Sequence, residues 1–212
     1  MKLDVYFVDA FTDKVFSGNP AAVIFTDIDD ENLMQKIAFE NNLSETAFIN
    51  TNQDTYYIRW FSPIKEVDLC GHATLASAYI YFNYINKDED KVSFMSASGE
   101  LSVRKTDDLY ELDFPKDNLK KIDMTDQVED CIGVKPIETF IGDINLFALL
   151  DNEETLKTLK PNFSKLINLE GQGLIVSSQS NEYDFVSRYF CPKFGINEDP
   201  VTGSAHTTLI PY

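Results

Sequence analysis

The sequence predicts an α+β protein of two pseudo-symmetric domains, each a curled, mostly antiparallel sheet or barrel around a central helix. Three observations carry that prediction. First, one phrase occurs twice, as Cys70-Gly71-His72-Ala73-Thr74-Leu75 and as Thr202-Gly203-Ser204-Ala205-His206-Thr207-Thr208-Leu209. Each copy follows an irregular stretch that carries acids. Second, the run from Gly71 to about Asn83 is apolar on most sides (Ala73, Leu75, Ala76, Ala78, Tyr79, Ile80), as a helix surrounded by other structure must be. Third, the segments flanking it read as strands, rich in β-branched and aromatic residues.

Taken in order, Leu3, Val5 and Phe7 alternate with Asp4, Tyr6 and Val8 and predict a strand from the N-terminus. Phe11 to Pro20 is a loop with turn chemistry at Gly18-Asn19-Pro20, and Ala21 to Phe25 a short strand. Asp29 to Asn42 reads as a helix, with an acidic first turn and Leu33, Met34, Ile37 and Ala38 on one face. Strands are expected at Leu43 to Ile49 and Thr55 to Phe61, then the helix from Gly71, then strands at Val92 to Ala97, Leu101 to Arg104 and Tyr110 to Phe114. The mixed-charge stretch from Phe114-Pro115 to Lys121 marks a boundary, giving domains 1–115 and 116–212. The second half is expected to hold helices at Met124 to Ile132, Glu153 to Leu159 and Phe163 to Leu169. Its strands are expected at Ile137 to Ile141, Leu146 to Leu149, Gly173 to Ser177 and Tyr183 to Phe190. A central helix is then expected from Gly203. Pro211-Tyr212 follows it at once, so this half is expected to be truncated, lacking the closing strands of the first.

Composition narrows the function classes. The chain has 212 residues, with 18 Lys and Arg against 35 Asp and Glu, a net charge of −17. Nucleic acid and anionic membrane surfaces reward clustered positive charge, so neither is an expected partner. The acidity is read as a solubility feature. Three widely spaced cysteines, Cys70, Cys131 and Cys191, make no CxxC and no disulfide framework, which favours a reducing, cytoplasmic setting. No signal-peptide block and no apolar run of membrane-spanning length is present.

The chemistry is expected at the repeats, because both histidines, His72 and His206, lie in them. A glycine at a loop-to-helix junction permits an unusual backbone angle or close approach to a ligand, and the first helix amides can hold an anion. Two ordinary packed helices would use the same small residues. Glu45 is either a surface carboxylate at the start of a strand or a general base. A carboxylate serves as base when partial burial brings its pKa toward neutrality, and Leu43, Ala47 and Phe48 supply apolar neighbours. Asp199, before Pro200, either holds a substrate amine or caps the second helix. His72 is a second acid/base or a structural histidine, and His206 is read as structural. Cys70, at a helix N-terminus, is a candidate reactive thiol. A metal site from Cys70, His72, Cys191, His206 and Asp199 lacks any ligand spacing of known type, so no metal is expected. Hydrolase chemistry is disfavoured, since Cys70 and His72, like Ser204 and His206, are two apart and are expected on different helix faces.

Four blocks in order resemble the PhzF-like isomerase family, which shares its fold with diaminopimelate epimerase. They are Val8-Asp9-Ala10-Phe11-Thr12 with Phe16-Ser17-Gly18-Asn19-Pro20-Ala21-Ala22-Val23; Leu43-Ser44-Glu45-Thr46-Ala47-Phe48; Arg59-Trp60-Phe61-Ser62-Pro63 with Glu66-Val67-Asp68-Leu69-Cys70-Gly71-His72-Ala73-Thr74; and Gly195-Ile196-Asn197-Glu198-Asp199-Pro200-Val201-Thr202-Gly203-Ser204-Ala205-His206. The resemblance implies two like domains with a site between them, a homodimer, and isomerisation without a cofactor. It implies Glu45 as the acid/base, Asp199 and His72 in support, and Asn19, Ser44, Gly71, Gly203 and Ser204 as contacts for a small amino-acid-like substrate. A non-catalytic binding or dimerising protein, or a cysteine-assisted racemase or epimerase, is the alternative. The second repeat carries Asp199-Pro200 where the epimerases place a cysteine, which disfavours the two-cysteine mechanism. Family chains continue past Pro211-Tyr212 into further strands.

Overall fold

A computed structural model describes residues 2–51 and 55–212, so Met1, at the head of the expected first strand, lies outside the described residues. The chain divides into two compact units, Met1–Phe114 and Pro115–Tyr212.

The first unit runs β1 (Tyr6–Ala10), β2 (Asn19–Thr26), α1 (Glu31–Asn41), β3 (Glu45–Asn50), β4 (Tyr56–Phe61), β5 (Glu66–Val67), α2 (Gly71–Ile80), β6 (Lys91–Ser96), β7 (Gly99–Thr106) and β8 (Leu109–Asp113). The sheet order is β1-β2-β3-β4-β6-β7-β8, with β5 paired to β4. All pairs are antiparallel except β2 with β3, joined through α1, and β4 with β6, joined through α2. Asp30 caps α1 by accepting from the amides of Asn32 and Leu33, and Asn42 ends it in the left-handed region at φ 51°. Met34 and Ala38 bury its apolar face against Ile24, Phe48 and Phe61.

The sheet curls about α2. Ala73, Ala76, Ala78 and Ile80 pack into one core with Ala21 and Val23 of β2, Ala47 and Ile49 of β3, Ile58 and Trp60 of β4, and residues of β6 and β7. That explains the all-round apolar run: the helix is walled by strands, so it needs no polar face. Small residues let the backbone of the helix approach the sheet. The helix continues beyond Ile80 as a π-helical turn, Tyr81–Ile85, two residues past the expected end.

The second unit runs β9 (Lys120–Ile122), α3 (Thr125–Ile132), β10 (Glu138–Ile141), β11 (Leu146–Leu149), α4 (Glu153–Thr158), α5 (Phe163–Leu166), β12 (Leu174–Ser178), β13 (Val186–Phe190), β14 (Glu198–Asp199) and α6 (His206–Leu209), in the order β14-β13-β12-β11-β10-β9. The pairing from β10 to β14 repeats that from β1 to β5: antiparallel, then parallel across a helical connection, then antiparallel twice. The second helix departs from expectation. It is four residues long and starts at His206, not Gly203. Gly203 and Ser204 form a turn before it, their carbonyls accepting from the amides of His206 and Thr207 at 3.1 Å each. The Thr207 hydroxyl also donates to the Ser204 carbonyl, at 2.8 Å.

Candidate active site

The parallel pairing of β2 and β3 brings two strand starts to one end of the first sheet. Ala21 lies opposite Glu45, so Asn19 and Glu45 share that end. Gly18 makes the turn into β2 possible. Its φ is +69°, and a Cβ there would sit 2.1 Å from the Ala10 carbonyl oxygen. The α2 N-terminus meets the same end, with Gly71 and His72 buried.

Four side chains meet there. His72 Nε2 lies 3.4 Å from Glu45 Oε2, a close approach that lacks hydrogen-bond alignment. Its Nδ1 lies 3.3 Å from Asn19 Nδ2 and 3.5 Å from Cys70 Sγ. Nδ1 thus faces Asn19 and Cys70, and Nε2 faces Glu45. Burial pushes the His72 pKa down to about 4, against the opposing pull of the Pro20 carbonyl. At neutral pH the imidazole is therefore uncharged, and its contact with Glu45 is dipolar and not an ion pair. The Glu45 side chain is 17% exposed, half-sunk beside that ring and still open to a ligand.

Cys70 and His72 do not lie on different helix faces, and that expectation is corrected. Cys70 is the residue before the helix, extended at φ −139° and ψ 116°, so the 100° helical step does not apply to it. Its side chain makes no capping bond and turns to His72 instead. Of the two uses expected for the repeat glycines, the unusual backbone angle is not found: neither Gly71 nor Gly203 is among the positive-φ glycines of the described residues. Gly71 is the first helical residue of α2 and is buried.

The remaining predicted residues fall as follows. Ser44 is half-buried in the bend before β3. Asp199, Gly203 and Ser204 belong to the second unit. Asp199 does not cap a helix: it sits in β14 opposite Tyr189, and Thr202 Oγ1 donates to its Oδ2 at 2.5 Å. The set Glu45, Cys70 and His72 offers ligand atoms within 4.8 Å of one another. Ligand spacing does not reveal that set, because Glu45 comes from a different strand, far from the other two in sequence.

The chain matches the family model described as "Phenazine biosynthesis-like protein" over residues 8–212. An uncharacterized isomerase of Pseudomonas aeruginosa is 44% identical over 214 residues, covering 100% of this chain and 82% of that protein. The chain belongs to the phenazine biosynthesis-like family. The crystal structure of a PhzF family protein of Enterococcus faecalis superposes with a TM-score of 0.92 at 48% identity, over 100% of this chain and 82% of that one. A predicted epimerase of Pseudomonas aeruginosa shares the fold at 18% identity, with a TM-score of 0.78 over 100% and 81% of the two chains. This family member thus has the epimerase-type fold that the resemblance implies.

Two residue pairs escaped the sequence reading. Arg59 of β4 grips Glu66 of β5 through Nε and Nη2, both at 2.6 Å, while its guanidinium lies 5.1 Å from the Phe61 ring centre. Arg188 of β13 grips Glu198 of β14 at 2.7 and 2.8 Å and lies 4.9 Å from the Phe190 ring centre. The signal was present: Arg59-Trp60-Phe61 and Arg188-Tyr189-Phe190 are a second repeated phrase, each followed by an acid. These forks pin β5 and β14 just ahead of the two glycine phrases. No helix among the described residues is long and apolar enough to cross a membrane.

Proposed function

We propose that this protein is a PhzF-type isomerase that moves a proton between two carbons of a small substrate bearing a carboxylate and an amine, without a cofactor. Glu45 removes the proton from one carbon and returns it to another. One carboxylate suffices if it can accept, hold and release the same proton while the substrate shifts its double bond beneath it. His72, neutral and with Nε2 3.4 Å from Glu45, places a hydrogen-bonding nitrogen at that side of the reacting centre. The N-terminus of α2, ten residues long, supplies amides at Gly71 and His72 for the substrate carboxylate. Asn19 fixes the imidazole through Nδ1. The Asp199 phrase contributes a second carboxylate that holds the amine, a role supported by the family resemblance alone; Ser44, Gly203 and Ser204 are assigned as substrate contacts on the same ground.

The observation that carries the proposal is the half-buried carboxylate of Glu45 set 3.4 Å from a buried, uncharged histidine at the start of the central helix. The test is a screen of cyclic amino acids in deuterium oxide with the purified protein. Incorporation of one deuteron at a carbon of a screened compound is the expected result. A panel in which nothing exchanges while compounds still bind would favour a non-catalytic binding protein.

A further inference from the structure

Outside the proton-transfer reading, the strongest unexplained feature is the chemistry of the three groups gathered at the α2 start. We propose that Glu45, Cys70 and His72 form a binding site for a thiophilic divalent cation of the zinc class, in which the cation occupies the position of the substrate. A thiol, an imidazole and a carboxylate are the three side-chain types that hold zinc, and three protein ligands with one open position is the arrangement of an exchangeable site.

The distances fit. Zinc bonds of about 2.3 Å to sulfur and about 2.0 Å to nitrogen, at a tetrahedral angle, set the two ligand atoms about 3.5 Å apart. Cys70 Sγ and His72 Nδ1 stand at 3.5 Å already. The third atom, a Glu45 oxygen, lies within 4.8 Å of the Cys70 sulfur and of a ring nitrogen of His72, and the carboxylate must swing from the Nε2 side toward Nδ1 to complete the set. Cys70 and His72 are 5% and 3% exposed, whereas Glu45, at 17%, is the side chain of the three most open to an ion arriving from solution.

Binding involves no redox change. The Cys70 thiol gives up its proton to solvent, the imidazole donates a ring lone pair, and the carboxylate binds as the anion. The Asn19 amide, now directed at Nδ1, must turn aside for an ion bound at that nitrogen. A water completes the four-coordinate shell. The cation would cover the Glu45 carboxylate, so on the reading given above it would act as an inhibitor; the binding itself does not rest on that reading.

The test is a titration of the metal-free full chain with cobalt(II), whose bond to a thiolate gives a near-ultraviolet charge-transfer band. The expected result is one equivalent bound per chain, with the band displaced by one equivalent of zinc. Cys70→Ser should abolish the band, and Cys131→Ser and Cys191→Ser should keep it. Glu45→Gln should keep the band but weaken binding by about tenfold or more, the smallest loss seen when even supporting groups of metal sites are removed. Absence of a thiolate band in the wild type, a band that survives Cys70→Ser, or a band lost in either other cysteine variant would overturn the proposal. No turnover is read, so failure here leaves the isomerase reading standing, and failure of the isomerase reading leaves the spectrum unchanged.

Discussion

Replacing His72 with Gln should remove most of the loss of stability that the first unit suffers between pH 7.5 and pH 5. The sign follows from burial. The His72 pKa is about 4 in the folded protein against an ordinary value of 6.5. Below pH 6.5 the unfolded chain binds a proton that the folded chain refuses, so the unfolded state gains and stability falls as the pH drops. The loss sets in near pH 6.5, steepens to about 1.4 kcal/mol per pH unit, and levels off near pH 4. By pH 5 it amounts to about 2 kcal/mol, and at its full extent to about 3 kcal/mol. The groups facing the ring are Glu45, the Cys70 thiol, the Asn19 amide and the Pro20 carbonyl. Trp60, the chain's one tryptophan, is buried in the core around α2, so its fluorescence during urea unfolding reports on the first unit. The wild type should lose about 2 kcal/mol over this range, and the Gln variant under about 0.5. Equal losses in the two proteins would show that the imidazole titrates normally and that the site is wetter than its geometry implies.

Two further substitutions test the scaffold. Gly18→Ala places a Cβ 2.1 Å from the Ala10 carbonyl oxygen and forces a non-glycine residue to φ +69°, at about 1–2 kcal/mol for the angle alone; unfolding followed by Trp60 fluorescence should show a loss of at least about 2 kcal/mol, and an unchanged midpoint would contradict the turn geometry. Arg188→Lys keeps the charge but loses the two-pronged grip on Glu198 and the bonds to the Leu156 and Leu159 carbonyls at 3.0 and 3.1 Å; with the pair partly exposed, about 1–2 kcal/mol should be lost in thermal melting of the second unit, whereas an equal melting temperature would show that a lone charge suffices there.

The legible parts of the sequence are those with periodicity or punctuation. Asp30 and Asn42 bracket α1 because capping chemistry is local, and α2 is visible because a helix walled by strands on most sides is apolar nearly all round. The elements that escape are too short to have a period. β5 and β14 have two residues each, held by pairing partners far along the chain and by the two arginine forks. The residues before the glycine phrases therefore read as irregular loop. The second helix is expected by analogy with the first, but it runs only from His206 to Leu209, because Gly203 and Ser204 are taken up in a turn. Glu45, His72 and Asn19 are expected at the site from the family resemblance alone, and the structure adds that their side chains meet. The Cys70–His72 contact is not readable from spacing, because helical spacing does not hold for a residue that stands one step outside the helix.

The central claim is that the Glu45 carboxylate carries the proton. The direct measurement is the rate of deuterium incorporation into a substrate found by the exchange screen, compared between the wild type and Glu45→Gln, which preserves the shape of the side chain and removes its basicity. The account predicts a fall of about 10²- to 10⁴-fold, the contribution typical of a positioned general base, with Trp60 emission unchanged. Exchange within a few-fold of the wild type would contradict it.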